Sequence, residues 1–132
     1  MKRVSVWVAG LLAVAAVVGG CVWYFHDDGR VTYDRRDVAV GSYGPVPGDT
    51  AALSLRSAIL SSGDRDAAAT VVSESSSRVV VAMSYEQFNC NGCARTAVGF
   101  LASATVHLRA PLGGRVVVDR LTGRPVRYAA NP

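Results

Sequence analysis

From Ala51 onward, apolar and polar residues alternate with a period of two, which turns one face of a strand inward and the other outward. In Ala51–Leu60, Leu53, Leu55 and Ile59 share a face, with Ser54 and Arg56 opposite. A strand is the better reading here and a short helix the other. "SSGDRD" follows as a turn. "AAATVVSE" and "RVVVAMSY" then flank "SSS", two β-branched runs around a short polar loop, which is a hairpin signature. In the second run Val79, Val81, Met83 and Tyr85 point one way. The longest alternation runs from Val98 to Leu108, with Phe100, Ala102, Ala104 and Val106 on the same face. Ser103, Thr105, His107 and Arg109 lie opposite. After "APLGGR" turns the chain, "VVVD" forms a strand, and "LTGRPV" turns it again toward a short last strand. The pattern predicts an all-β domain: a small antiparallel meander of about four to six strands with one buried and one wet face. Its main strands are Ala67–Glu74, Arg78–Phe88, Thr96–Leu108 and Arg115–Asp119.

The first 26 residues follow another rule. Lys2 and Arg3 precede Val4–Phe25, 22 residues without a charge, and Asp27 and Asp28 follow. As a helix at 1.5 Å per residue the run is about 33 Å long, against a hydrocarbon core of about 30 Å. Trp23 and Tyr24 fall where an interfacial aromatic belt would be. The charge asymmetry predicts a single N-terminal span with the N-terminus in the cytoplasm and the rest of the chain outside. Two other readings fit the same residues. "VVGGC" resembles a bacterial lipobox, with Gly20 before a lipidation candidate, Cys21, although Val22, Trp23, Tyr24 and Phe25 depart from the small polar residues usual after it. Cleaved secretion is the third, without a clear A-x-A site.

Between leader and domain, Gly41–Asp49 holds three Gly and two Pro in nine residues. The expected organisation is therefore a membrane or signal segment over 1–26, a stalk over 27–50 that contributes at most one docking strand, and a β domain over 51–132. About 80 residues bury a marginal core, so a covalent link would help.

Composition narrows the partners. Of 13 Arg and one Lys, Lys2 and Arg3 belong to the leader, which leaves 12 Arg against 10 acids. That surplus is too small to imply nucleic acid. Arg109, Arg115, Arg120, Arg124 and Arg127 crowd the last strands with only Asp119 opposing them. They form a solvated face or a contact for anionic lipid or polymer.

Cys90 and Cys93 bracket Asn91-Gly92, the strongest short hairpin-turn signal. A redox C-x-x-C needs a helix N-terminus or a cation to depress a thiol pKa. Arg95 alone is thin support. A metal site needs about four ligands, and His107 is the one further ligand in the domain, so neither a metal nor a cofactor is expected. Outside the cytoplasm paired cysteines oxidise, and a disulfide closing the turn is the expectation, with a free dithiol the alternative. No nucleophile–base set stands out as catalytic.

"APLGGRVVVDRLTGRPV", Ala110 to Val126, resembles a C-terminal signature of small extracytoplasmic, secreted or lipoprotein-like proteins of high-GC Gram-positive bacteria, P-L-G-x-R-x-V-V-D-x-x-T-G-x-P-V. Pro111, Leu112, Gly113, Arg115, Val117, Val118, Asp119, Thr122, Gly123, Pro125 and Val126 match it. The resemblance implies a small β domain outside the membrane and no particular activity. In physical terms Gly113 and Gly114 permit positive φ, Thr122-Gly123 suits a turn, and Asp119 suits an Asx-turn more than a catalytic acid. Three function classes stay open: a structural or binding module at the envelope, a small thiol oxidoreductase using Cys90 and Cys93, and an accessory subunit of an envelope complex.

Overall fold

The computed structural model describes residues 30–59, 61–93 and 99–130. The leader with Cys21, and Thr96–Val98 of the predicted third main strand, lie outside the described residues. The chain divides into two compact units. One is Thr32–Asn89 with Ala94–Pro132, and Cys90–Cys93 belong to the other.

Every regular element among the described residues is a strand: β1 (Val31–Val38), β2 (Ser42–Val46), β3 (Asp49–Ile59), β4 (Arg65–Glu74), β5 (Arg78–Cys90), β6 (Phe100–His107), β7 (Val116–Asp119) and β8 (Arg127–Tyr128). They form two four-stranded sheets. In the first, β5 lies between β1 and β4, and β7 also pairs with β5. The second runs β6-β3-β2-β8. The β2–β3, β3–β6 and β4–β5 pairs are antiparallel. The two short late strands are parallel to their partners, β7 to β5 and β8 to β2.

The core lies between the sheets. Leu53, Leu55, Ala102 and Val106 enter it from the second sheet, and Val79, Val81, Met83 and Val117 from the first. Each set has the period of two expected of strands with one dry face. Ser57, also buried, donates its hydroxyl to the carbonyl of Ala39 at 2.7 Å, which satisfies it inside the apolar layer.

Three expectations change. The domain is a two-layer structure and not one meander, because β5 and β6, consecutive in the chain, lie in different sheets. The physical reason is that the apolar face of the β4–β5 hairpin needs a cover, and the apolar face of β3 and β6 supplies it. The stretch 27–50 holds two strands, β1 and β2, and Val40 is part of the core, so the folded unit begins well before Ala51. The third strand begins, among the described residues, at Phe100 and ends at His107.

The outer strand β4 carries two irregularities, between Arg65 and Ala68 and between Val71 and Ser73. Asp66 has φ of 52° in the first, and Val72 is exposed in the second. Such bulges twist an edge away from further pairing. At the start of β2 and the end of β8 the rings of Tyr43 and Tyr128 meet edge to face, centroids 5.4 Å apart.

Candidate functional site

The signature stretch after β6 is organised around one cation. Arg115 reaches Glu74, the last residue of β4, with Nη1–Oε2 at 2.8 Å. Its Nη2 donates to the carbonyls of Ala110 at 2.7 Å and Pro111 at 2.9 Å, and its Nε donates to that of Leu112 at 3.1 Å. The planar fork of a guanidinium has the donors to hold a carboxylate and three carbonyls at once. The side chains of Arg115 and Glu74 are 12% and 9% exposed, so this is a sequestered ion pair that ties the 110–115 turn to the β4–β5 hairpin. The other carboxylate oxygen of Glu74 accepts the backbone N–H of Arg109 at 2.9 Å.

These contacts hold the Glu74 carboxyl below its ordinary value of 4.5. The Arg109 N–H contributes most, the Arg115 hydrogen bond next, and burial opposes both. A folded-state pKa below the unfolded one means that the unfolded chain binds more protons in acid. The stabilisation is therefore complete above about pH 4.5 and is lost as the pH falls through the lowered folded value. Thermal melts should show the melting temperature falling below about pH 4.5, and Glu74→Gln should flatten that acid limb.

Asp119, at the end of β7, is buried, and both of its carboxylate oxygens accept local hydrogen bonds. Oδ2 accepts the Thr122 hydroxyl at 2.8 Å and the Thr122 N–H at 3.1 Å, and Oδ1 accepts the Leu121 N–H at 3.4 Å. The Gly123 N–H returns to the Asp119 carbonyl at 2.8 Å, with Gly123 at φ of 68°. This is an Asx-type turn, in which the carboxylate binds donors two and three residues further along the chain. In the turn before β7, Gly113 takes positive φ, 57°, whereas Gly114 does not.

The five arginines separate. Arg115 is spent on Glu74 and three carbonyls. Arg120 lies 2.8 Å from Asp37 of β1. Arg109 enters the Glu74 contact through its backbone. Arg124 and Arg127 are exposed, Arg127 within β8. The expectation that only Asp119 opposes them is corrected. Asp119 is committed to its own turn, and Glu74 and Asp37 are the acids that meet arginines. These partners lie 41 and 83 residues away in the chain, a distance no local pattern spans. The one local hint was Glu74 itself, an acid ending an otherwise apolar and hydroxyl-bearing run.

Cys90 and Cys93 sit at disulfide-bonding distance, with Cα atoms 5.5 Å apart, within the usual span of such pairs. Among the described non-glycine residues only Asp66 has positive φ, so Gly92, at 79°, has the left-handed conformation and Asn91 does not. That fits a type II turn and not the type I′ turn of a strict two-residue hairpin, which needs both. β5 ends at Cys90 and β6 begins at Phe100, so the pair closes a small turn inside a longer connection.

His107 of β6 lies 3.5 Å from Asp49 through Nδ1, and both are well exposed. Among the described residues no three His, Cys, Asp or Glu side chains converge to hold a metal ion, and no helix is long and apolar enough to cross a membrane. No known family model matches the chain, nor does any curated protein or solved structure.

Proposed function

We propose that the chain is a membrane-tethered extracytoplasmic β module with a structural or binding role at the cell envelope, related to the small secreted or lipoprotein-like proteins that share its C-terminal signature. The observation that carries this reading is the Cys90–Cys93 pair at disulfide distance in a turn, since such pairs persist in oxidising compartments and are rare in the cytosol. The uncharged run Val4–Phe25, basic before and acidic after, supplies the tether and its orientation. Lipidation at Cys21 or cleavage would leave the same domain outside. The sheltered charged groups support a scaffold more than an enzyme: half-buried Glu74 and Arg115 hold each other, and buried Asp119 holds its own turn. A thiol oxidoreductase at the same cysteines has less support, because no helix N-terminus among the described residues stands ready to depress a thiol pKa. An accessory subunit of an envelope complex is a special case of the binding role.

Protease treatment of intact cells, with mass spectrometry of the mature N-terminus, tests the reading. Digestion of residues 30–130 from outside is expected, and protection of the whole chain in the cytosolic fraction overturns it. Alkylation before reduction should leave Cys90 and Cys93 unmodified. Cys90→Ser should cost about 2 kcal/mol, lowering the melting temperature by roughly 10 °C. A thiol with a pKa far below 8.5 and fast exchange with a small disulfide would instead favour the oxidoreductase.

A further inference from the structure

At one place in the first sheet the alternation of apolar and polar residues stops. Val79–Val81 of β5, Val116–Val118 of β7 and Val71–Val72 of β4 are unbroken valine runs on neighbouring strands. Val79, Val81 and Val117 point into the core, so Val80, Val116 and Val118 point to the outer face. Val72 is the extra residue of the bulge opposite Val80. Val72 and Val116 are 49% and 48% exposed, and Val80 and Val118 are half-buried. Unbroken apolar runs belong to strands covered on both faces, yet here the second face leaves Val72 and Val116 in water. Basic residues flank the patch. Arg78 pairs with Val116, shares its face and is exposed. Arg120 lies two residues beyond Val118 on the same side, and Arg35 of β1 reaches the Ser84 hydroxyl on that face. Among the described residues the acid beside them is Asp37, which Arg120 holds at 2.8 Å. Toward the other end of β5 the charges balance, since Arg65 meets both Glu86 and Asp66.

We infer that this valine patch is seated on the anionic surface of the bilayer, its valines entering the boundary between headgroups and acyl chains and Arg78, Arg120 and Arg35 meeting lipid phosphates. The inference rests on the envelope reading above and names the partner of the domain. Apolar area ringed by arginine is the combination that holds a protein surface on anionic lipid. The tether favours this sheet. Five residues, His26–Arg30, separate the proposed span from β1, a reach of at most about 18 Å, and β1 belongs to the first sheet. Tyr33, near the start of β1, meets Phe88, whereas Asp37, near its end, meets Arg120. The tether therefore enters at one end of the sheet and the valines lie toward the other, so two points of attachment lay the sheet along the membrane.

The test is tryptophan quenching by acyl-brominated lipids, with the full-length chain at one copy per nanodisc. Val72→Trp, in a Trp7→Phe/Trp23→Phe background, should be quenched in phosphatidylglycerol and much less in phosphatidylcholine or at high salt. Val116→Trp repeats the measurement from β7. Arg78→Gln should shift the docked fraction about fivefold toward the free state, and Val116→Ser should shift it in the same direction. Leu101→Ser, an exposed apolar position of the other sheet, should change nothing. Absence of quenching at both probe positions in phosphatidylglycerol overturns the inference. So does equal quenching of Thr105→Trp on the second sheet, or quenching undiminished in phosphatidylcholine. Shielding of the Val72→Trp indole from acrylamide that needs two copies per disc, without quenching by bromine, assigns the face to a second copy and also overturns it. The native Trp7 and Trp23 separate the two readings. If bromine quenches them and not the probes, this inference fails alone; if they escape, the tether fails and this inference with it.

Discussion

Leu55→Ala should lower stability by about 3–5 kcal/mol, enough to leave much of the population unfolded at 37 °C. Leu55 is fully buried at the middle of β3, opposite Tyr43 of β2 and Ala104 of β6. It faces the Val79, Val81 and Met83 stripe of the other sheet and is among the largest side chains wholly removed from water. Truncation removes the transfer free energy of its methyl groups and leaves a cavity between two sheets whose paired backbones resist collapse. The adjacent residue is the control. Ser54→Ala, on the outward face of the same strand, should change stability by no more than about 0.5 kcal/mol. Urea melts of the two variants measure the difference, and an unchanged m-value would attribute it to stability and not to a more compact denatured state. If Leu55→Ala lost less than about 1 kcal/mol, the core would not lie between these sheets.

Leu55 also shows how far local pattern reaches. The period of two assigns Leu53, Leu55, Val79, Val81, Met83, Ala102 and Val106 to the inward faces correctly, because burial on one side of a strand is a local constraint that each residue records, whereas Phe100, expected on the same face of β6, is exposed at the start of that strand. What lies on the other side of the buried face is not local. One sheet covered by solvent on its second face and two sheets facing each other give the same alternation, so the meander and the sandwich are indistinguishable at that level. β1 escapes for a different reason. Most of its residues are exposed, and Asp34, Arg35, Arg36 and Asp37 occupy consecutive positions, so it has no alternation to detect. β2 is hidden by Gly44 and Pro45, which argue against a strand. The structure tolerates Pro45 because β8 pairs only with Ser42 and Tyr43, which makes β2 an edge strand at the proline. Gly44 is required by close approach, since a Cβ there would meet the Ala129 carbonyl oxygen at 2.6 Å. The Asp119 turn was legible because its partners lie within four residues. The partners of Arg115 and Arg120 were not, because tertiary structure alone brings Glu74 and Asp37 to them.

That long-range pairing sets the second large effect. Arg115→Met keeps the length and apolar body of the side chain but removes every hydrogen bond that the guanidinium donates. Glu74 then keeps a sequestered carboxylate with one backbone donor, the carbonyls of Ala110 and Pro111 lose the guanidinium, and that of Leu112 keeps only the backbone N–H of residue 115. Leaving one member of such a pair without its partner is more damaging than never having built the pair. The melting temperature should fall by about 10 °C or more. Arg115→Lys should recover little of it, since one ammonium cannot reach a carboxylate and three carbonyls arrayed for a planar fork. The double variant Glu74→Leu with Arg115→Met should be more stable than Arg115→Met alone, because it removes the stranded charge with its partner. Measured as a cycle with both single variants, that ordering identifies the pair as a lock on the 110–115 turn. A double variant no better than the single would mean that the three carbonyl contacts, and not the carboxylate, carry the effect.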